Sequence, residues 1–257
     1  MPRYKLTIEY AGTRYSGWQI QTNARTIQGE LVKAVRTATG RDRFEVYGAG
    51  RTDAGVHALA QVAHLDVGTP LSPAALLARI NDVLPADIHV RMIEVASHRF
   101  HARHDATARG YLYQIARRRS AFAKPFVWWV RDPLDVDRMR TGAAAFAGFQ
   151  DFASFTDDDP EEKSTSVAIA SVTVEEAGAL VLVRVVGSHF LWKMVRRMVG
   201  LLVGVGTGAI DRREIGRALT SRSELPATLT APASGLFLEF VAYGDALPDR
   251  AAPFAID

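Results

Sequence analysis

The chain has 257 residues, of which 48% are hydrophobic and 23% are charged, and its formal net charge is +3. These values are ordinary for a globular protein, and the length allows one large domain or two domains of about 100–150 residues. The chain has no cysteine, which excludes disulfides, iron–sulfur clusters and a cysteine nucleophile. The absence of cysteine also fits a reducing cytosol, so we expect a cytoplasmic protein. No stretch approaches the roughly 20 apolar residues of a membrane span, so we expect no membrane partner.

The first half of the chain shows strand and helix patterns in turn. Residues 4–10 alternate apolar and polar side chains, which predicts a half-buried strand. Thr26 can cap a helix over residues 26–39, and Ser72-Pro73 begins a second helix. Further strands are predicted at 44–49, 59–67 and 87–96.

The second half repeats this order of elements without repeating the sequence. Helices are predicted at 135–147 and 190–205, with a shorter one from Asp211, and strands at 108–116, 167–175, 180–187 and 235–243. Each half therefore has the order β-α-β-β-α-β of the split βαβ, or ferredoxin-like, unit. We expect an α+β protein with antiparallel sheets, in which a central cleft separates an N-terminal half, residues 1–100, from a C-terminal half, residues 101–257.

The segment Gly-Ala-Gly-Arg-Thr-Asp-Ala-Gly-Val-His, residues 48–57, has the composition of a functional loop. Glycines allow the backbone to turn sharply or to approach a ligand closely. Arg51 and Asp53 follow a predicted strand and stand two residues apart. The glycine spacing fits neither the dinucleotide-binding fingerprint nor the P-loop, so nucleotide binding is not indicated. From this local pattern alone, a tight turn with a surface ion pair is an equally good interpretation.

A second candidate functional segment is the basic stretch of residues 99–119, which contains six arginines and one acidic residue. Such a basic cluster is typical of a surface that contacts nucleic-acid phosphates. His98, His101 and His104 lie in or beside the same stretch, but their spacing places them on neither one helix face nor one strand face. Because the chain also lacks cysteine and the H-E-x-x-H motif, we expect no metal site.

Beyond these local patterns, the string GRTDAGVH, residues 50–57, is long and specific. It is similar to the signature motif of the bacterial tRNA pseudouridine synthase A family, which modifies the anticodon stem-loop of tRNA. Other similar segments occur in the family's order: EYAGTRYSGWQIQ (9–21), FHARH (100–104), ATARGYLY (106–113), SHFLWKMVRRMVG (188–200) and APASGLFL (231–238). One departure is Gly110, which stands where an arginine is expected.

The resemblance implies the pseudouridine synthase fold and assigns the catalytic residues. It implies that Asp53 is the nucleophile, that Arg196 forms an ion pair with it, and that Tyr111 lies in the active site. A guanidinium close to a carboxylate lowers the carboxylate pKa by roughly 1–3 units and keeps it ionised for attack. Attack on C6 of the base and attack on C1′ of the ribose are both compatible with these residues. Tyr111 can stack on the uracil ring and is also a candidate base for the C5 proton.

The implied function is isomerisation of uridine to pseudouridine at tRNA positions 38, 39 and 40. The enzyme is expected to be a homodimer that flips the target base out of its stack and uses no cofactor. Lys193, Arg196 and Arg197 form a basic stripe on helix 190–205, opposite an apolar face. We expect RNA contacts from the following residues: Arg51, Arg103, Arg109, Lys193 and Arg197.

The sequence leaves two alternative functions open. A non-catalytic RNA-binding module of the same fold would have no use for an Asp–Arg pair. A hydrolase that cleaves glycosidic bonds through carboxylates would need a second acid–base carboxylate, and the sequence suggests none. Both alternatives are therefore less favoured than the synthase.

Overall fold

The computed structural model describes residues 1–159 and 162–251, and its internal contacts divide the chain into two compact units. Of the described residues, unit 1 comprises 1–107 and 238–250, and unit 2 comprises 108–159, 162–237 and residue 251. The sequence-based halves, residues 1–100 and 101–257, differ from these units in two ways. The observed break comes after residue 107, and residues 238–250 belong to unit 1 rather than to the C-terminal half. The expected α+β class with antiparallel strands is confirmed.

Unit 1 has the β-α-β-β-α-β order. Its elements are β1 (Arg3–Tyr10), α1 (Ile27–Thr39), β2 (Phe44–Gly48), β3 (His57–Val67), α2 (Pro73–Val83) and β4 (Ile88–Ala96). Strand β1 pairs in antiparallel fashion with β3 on one side and with β4 on the other, and β2 pairs with β3. Because β2 and β3 are neighbours joined by a short connection, that connection is held at the end of two paired strands.

Local sequence explains the elements of unit 1. In β1, Tyr4, Leu6, Ile8 and Tyr10 are buried, which is the inward face that the alternation predicts. The Thr26 side chain accepts a hydrogen bond from the Gly29 N–H and so caps α1. Helix α2 begins in the same way, since the Ser72 hydroxyl accepts from the Ala75 N–H and a proline occupies the first helical position.

Unit 2 contains a second antiparallel set of strands in the order β5-β9-β8-β7. Its elements are β5 (Ala108–Ala116), β6 (Trp128–Trp129), α3 (Val136–Ala143), β7 (Gly148–Asp151), β8 (Ser166–Ala177), β9 (Leu180–Gly187), α4 (Met194–Gly206), α5 (Arg213–Thr220) and α6 (Leu225–Thr228). The short β6 pairs in parallel with the end of β5. Within the last strand, β10 (Leu236–Ala242), the chain passes from unit 2 back into unit 1, between Phe237 and Leu238.

Unit 2 departs from the sequence-based elements in several places. The helix predicted over 135–147 ends at Ala143 and continues as a 3-10 turn, and the short elements β6, β7 and α6 were not predicted. The helix predicted over 190–205 begins only at Met194. Lys193, which precedes it, has a φ of 62°, a left-handed conformation that a regular helix cannot contain.

Helix α4 forms the centre of the unit 2 core. All of its residues are buried except Arg196. Glycines permit part of this packing, because a Cβ on Gly200 would lie 1.6 Å from the Leu229 carbonyl oxygen. Apolar as α4 is, no helix among the described residues is both long and apolar enough to span a membrane.

Candidate active site

Asp53 lies on the connection between β2 and β3, residues 49–56, which we call the aspartate loop. Asp53 is half-buried, whereas Arg51 is exposed and Thr52 between them is buried. The Val56 N–H donates to the Asp53 carbonyl oxygen at 3.1 Å, which closes a tight turn that begins at the aspartate. The backbone that carries the carboxylate therefore has a defined conformation in unit 1.

A neighbouring segment, residues 12–18, fixes the aspartate loop from one side, and we call it the clamp segment. The Trp18 N–H donates to the Thr52 carbonyl oxygen at 3.1 Å. The Gly55 N–H donates to the Tyr15 carbonyl oxygen at 3.3 Å. These bonds flank the aspartate on both sides in sequence, so the clamp segment restricts the position of the carboxylate.

Two glycines allow the clamp segment to approach so closely. Gly17 has a φ of 87°, and a Cβ there would lie 2.5 Å from the Thr52 carbonyl oxygen. At Gly12 a Cβ would lie 1.9 Å from the Val56 carbonyl oxygen. Neither position has room for a side chain, because the obstacle in each case is backbone rather than a flexible group.

Three buried polar side chains complete the support of the aspartate loop. The Tyr10 hydroxyl and the Thr52 Oγ1 are 2.8 Å apart. His57 is 1% exposed, and its Nδ1 accepts a hydrogen bond from the Gly12 N–H at 3.1 Å. None of the three was predicted to support the loop, although the alternation in β1 already directs Tyr10 to the interior.

Arg103, the other unit 1 residue assigned to RNA, lies exposed in a turn after β4. Its N–H donates to His101 Nδ1 at 3.2 Å, so a histidine shapes the turn. His101 also contacts two other imidazoles, with ring centroids 4.8 Å from His64 and 4.2 Å from His104. Across the described residues, no group of three or more histidines or acids has the arrangement of a metal site.

His64 is the buried member of this histidine group. The residue is 4% exposed, and its Nδ1 accepts a hydrogen bond from the Ala102 N–H at 3.2 Å. Burial, with the nearby charge of Arg3 acting in the same direction, lowers the pKa of His64 to about 4. The imidazole is therefore neutral near pH 7.

In unit 2, Tyr111 and Arg109 lie on β5 and contact the segment that follows β9. The Tyr111 ring meets the Phe190 ring edge to face, with centroids 5.0 Å apart and an interplanar angle of 82°. The Arg109 Nη1 donates to the Ser188 carbonyl oxygen at 2.7 Å. Both side chains are thereby oriented by residues 188–190, a segment in which the sequence had predicted the start of a helix.

Arg196 is the half-exposed residue of α4, and it is tied to the chain beyond α6. Its Nε donates to the Ala231 carbonyl oxygen at 2.7 Å, and the Ala231 N–H donates to the Arg196 carbonyl oxygen at 3.1 Å. The buried Tyr113 lies nearby and donates its hydroxyl to the Pro232 carbonyl oxygen at 2.7 Å. Burial raises the pKa of Tyr113 well above its usual value, although Arg196 acts in the opposite direction, so this phenol stays protonated.

The other two cations of the predicted stripe do not share the environment of Arg196. Arg197 is 4% exposed, and its guanidinium forms an ion pair with Asp157, so the expectation that it faces outward with its neighbours is wrong. Lys193 is the residue with left-handed backbone conformation that precedes α4. Its Nζ lies 2.7 Å from an oxygen of Asp157 and 4.5 Å from the Trp192 ring centroid. Asp157 thus draws two of the three cations toward itself.

Comparison with known proteins gives the family of the chain. A family model described as tRNA pseudouridine synthase matches residues 6–105 and 143–244. The chain belongs to this family. A tRNA pseudouridine synthase A from Nitrobacter winogradskyi is 41% identical over 253 residues, which cover 97% of this chain and 99% of the relative. One from Maricaulis maris is 42% identical over 247 residues, which cover 95% of this chain and 98% of the relative.

Family membership confirms the predicted enzyme class, a tRNA pseudouridine synthase. The first matched range contains Asp53, Arg51 and Arg103, and the second contains the cations at 193, 196 and 197. Arg109 and Tyr111 lie between the two ranges, but the alignment with the Nitrobacter winogradskyi tRNA pseudouridine synthase A covers almost the whole chain.

Proposed function

We propose that the chain isomerises uridine to pseudouridine in the anticodon stem-loop of tRNA, at positions 38, 39 and 40, with Asp53 as its nucleophile. The observation that carries this proposal is the aspartate loop in a chain of the tRNA pseudouridine synthase family. Its aspartate is half-buried on a backbone held by hydrogen bonds on both sides. A nucleophile must be both ionised and positioned, and this loop supplies the positioning.

The reaction exchanges one bond to the sugar for another. The N1–C1′ glycosidic bond breaks, the uracil rotates and a C5–C1′ bond forms. The proton on C5 leaves, and N1, which has lost its bond to the sugar, takes up a proton from solvent. A carboxylate assists the first step by adding to C6 of the base or to C1′ of the ribose. Because no atom is gained or lost overall, the reaction consumes no oxidant or reductant, and we propose that it proceeds without a cofactor.

Tyr111 and Arg196 complete the proposed chemistry. Tyr111 stacks on the flipped uracil, and its hydroxyl is the candidate acceptor of the C5 proton. Its edge-to-face contact with Phe190 supports this role, because the contact fixes the plane of the phenol ring. Arg196 pairs with the Asp53 carboxylate, an assignment that rests on the family resemblance.

RNA contacts are proposed for four cations, two in each unit. Arg51 and Arg103 are exposed in unit 1, and Arg109 is oriented by Ser188 in unit 2. Lys193 is the fourth of these cations, and it also forms an ion pair with Asp157. Arg197 is left out, because its buried guanidinium serves the ion pair with the same acid.

The setting of the enzyme is also part of the proposal. We propose a cytoplasmic homodimer that binds tRNA. Cysteine is absent from the sequence, which fits a reducing compartment. A dimer would offer one tRNA the basic surfaces of two copies.

The proposal is tested by tritium release from a tRNA transcript labelled at C5 of uridine. Wild-type protein should release tritium without free uracil, and Asp53→Asn should release none while binding tRNA normally. Asp82→Asn is the matched control, since it removes an exposed carboxylate from α2 of the same unit. Transcripts with cytidine at position 38, 39 or 40 then identify the modified uridines.

The same experiment separates the alternatives. Tight tRNA binding without tritium release from any tRNA would favour a non-catalytic RNA-binding module. Release of free uracil would indicate a hydrolase. Full activity of Asp53→Asn would remove Asp53 from the mechanism.

A further inference from the structure

A basic and aromatic surface lies in unit 2, in residues that the proposed function has not used. It consists of residues 117–131, which follow β5 and include β6, and we call it the basic–aromatic loop. These 15 residues contain five cations and no acid: Arg117, Arg118, Arg119, Lys124 and Arg131. The loop lies outside both ranges that the family model matches.

The basic–aromatic loop has a fixed conformation. Val127 and Val130 are buried in unit 2, at 5% and 7% exposure. The Gln114 Nε2 donates to the Phe126 carbonyl oxygen at 2.9 Å, and the Ser234 hydroxyl donates to the Val127 carbonyl oxygen at 3.2 Å. The loop therefore has the same backbone conformation before it binds a partner, which reduces the entropic cost of binding.

Two large aromatic side chains of this loop point into solvent. Phe122 is 95% exposed and Trp129 is 42% exposed. The guanidinium of Arg119 lies 5.8 Å from the centroid of the Trp129 ring. An exposed phenylalanine contributes nothing to the core, and exposed aromatic surface beside cations is typical of an interaction site.

We propose that the basic–aromatic loop binds an unpaired nucleotide segment of the RNA substrate. Bases stack on Phe122 and Trp129, and the flanking phosphates are contacted by Arg119, Lys124 and Arg131. Aromatic rings take up unpaired bases of any sequence, and cations alongside them follow the backbone. The inference rests on the proposed function, because the RNA in question is the tRNA that the enzyme modifies.

The charges of the loop favour RNA over a protein partner. Arg117 is occupied within unit 2, since it pairs with Glu176 at 2.5 Å and donates to the Gly178 carbonyl oxygen at 2.7 Å. The loop still presents the cations at 119, 124 and 131 without an acid between them. Every nucleotide of RNA supplies a phosphate to such a surface, whereas a second copy of this chain would bring the same positive charge.

The test is equilibrium binding of a tRNA transcript by filter retention at several salt concentrations. Phe122→Ala should raise the Kd at least fivefold, a fold-change typical for loss of one stacked base. Lys124→Gln and Arg131→Gln should each reduce the slope of log Kd against log salt by up to about 0.7, the value for one phosphate contact to a single strand. Matched controls are Phe149→Ala, which removes a phenylalanine that is 76% exposed on β7, and Arg213→Gln, which removes an exposed arginine from α5.

The outcomes separate this inference from the proposed function. The RNA contact is overturned if Phe122→Ala has the same Kd as Phe149→Ala and if Lys124→Gln and Arg131→Gln have the same salt slope as Arg213→Gln. A change in sedimentation of Phe122→Ala without a change in Kd assigns the loop to an interface between copies instead. Wild-type binding without tritium release refutes the proposed reaction but leaves the Kd comparison intact, and failure of wild-type protein to bind tRNA overturns both.

Discussion

The Tyr10 hydroxyl lies 2.8 Å from the Thr52 Oγ1, one residue before the proposed nucleophile. Both side chains are buried, at 4% and 6% exposure. The Thr52 carbonyl oxygen also accepts a hydrogen bond from the Trp18 N–H. The residue that precedes Asp53 is therefore fixed through its side chain by β1 and through its backbone by the clamp segment.

Thr52→Val should reduce catalysis more than RNA binding. Valine preserves the shape of threonine but removes its hydrogen bond to Tyr10, at a cost of about 1–2 kcal/mol in unfolding free energy. If this bond positions Asp53, kcat should fall at least tenfold while the Kd for tRNA stays unchanged. Thr52→Ser should restore kcat, and a wild-type kcat in the valine variant would show that the bond is only structural.

Gly17→Ala should be much more damaging than Gly40→Ala. Both glycines have positive φ, at 87° and 63°, so alanine is strained at each by about 1–2 kcal/mol. Only at Gly17 would the added Cβ meet backbone, 2.5 Å from the Thr52 carbonyl oxygen, whereas nothing lies within 4 Å at Gly40. Urea unfolding and tritium release should both show the difference, and equal losses would contradict the close packing of the clamp segment.

Tyr111→Phe and Tyr111→Ala separate stacking from proton transfer. Phenylalanine keeps the ring that meets Phe190 edge to face but lacks the hydroxyl. If Tyr111 accepts the C5 proton, Tyr111→Phe should lower kcat about 10²-fold or more with little change in tRNA affinity. Tyr111→Ala should weaken both. A phenylalanine variant with wild-type kcat would restrict Tyr111 to stacking.

Asp157→Asn should destabilise the protein by about 2–4 kcal/mol, because it leaves the buried guanidinium of Arg197 without its carboxylate. Asp137→Asn is the matched control, since Asp137 pairs with Arg140 on the exposed surface of α3. Its loss should cost less than about 1 kcal/mol. Urea unfolding measures both, and similar values would show that burial adds nothing to the Asp157 pair.

Stability should fall as the pH is lowered from about 6.5 to about 4, in part through His64. The pKa of His64 is about 4 in the folded protein and near 6.5 in the unfolded chain. The unfolded state therefore binds the extra proton across this window, which favours unfolding as the pH decreases. His64→Gln should flatten the dependence of unfolding free energy on pH, whereas His89→Gln, at an exposed position on β4, should not.

Much of the fold follows from local patterns. The alternation over residues 4–10 predicted β1 and its buried face, and Thr26 and Ser72 cap the helices that the sequence placed after them. The strand predicted at 108–116 has the observed bounds. Such features are readable because side-chain periodicity and capping depend on residues only a few positions apart.

The site was readable only in part. The motif around Asp53 and the family resemblance pointed to the aspartate loop, but neither named Tyr10, Gly17 or His57 as its supports. Each of these residues contacts a residue that is about 40 positions away in the sequence, as Tyr10 does in its hydrogen bond with Thr52. The local sequence pattern of a strand or a loop does not determine which distant segment of the chain it will contact.

The neighbouring arginines of α4 show where the limit lies. The sequence alone determined that Arg196 and Arg197 stand together on a mostly apolar helix, and helical periodicity assigned both to the polar side. Only the tertiary structure decided that Arg196 binds the Ala231 carbonyl oxygen and stays half-exposed, while Arg197 is buried against Asp157. The physical reason is that a charge enters a core only where a distant partner compensates it, and that partner is set by the fold rather than by neighbours in the chain.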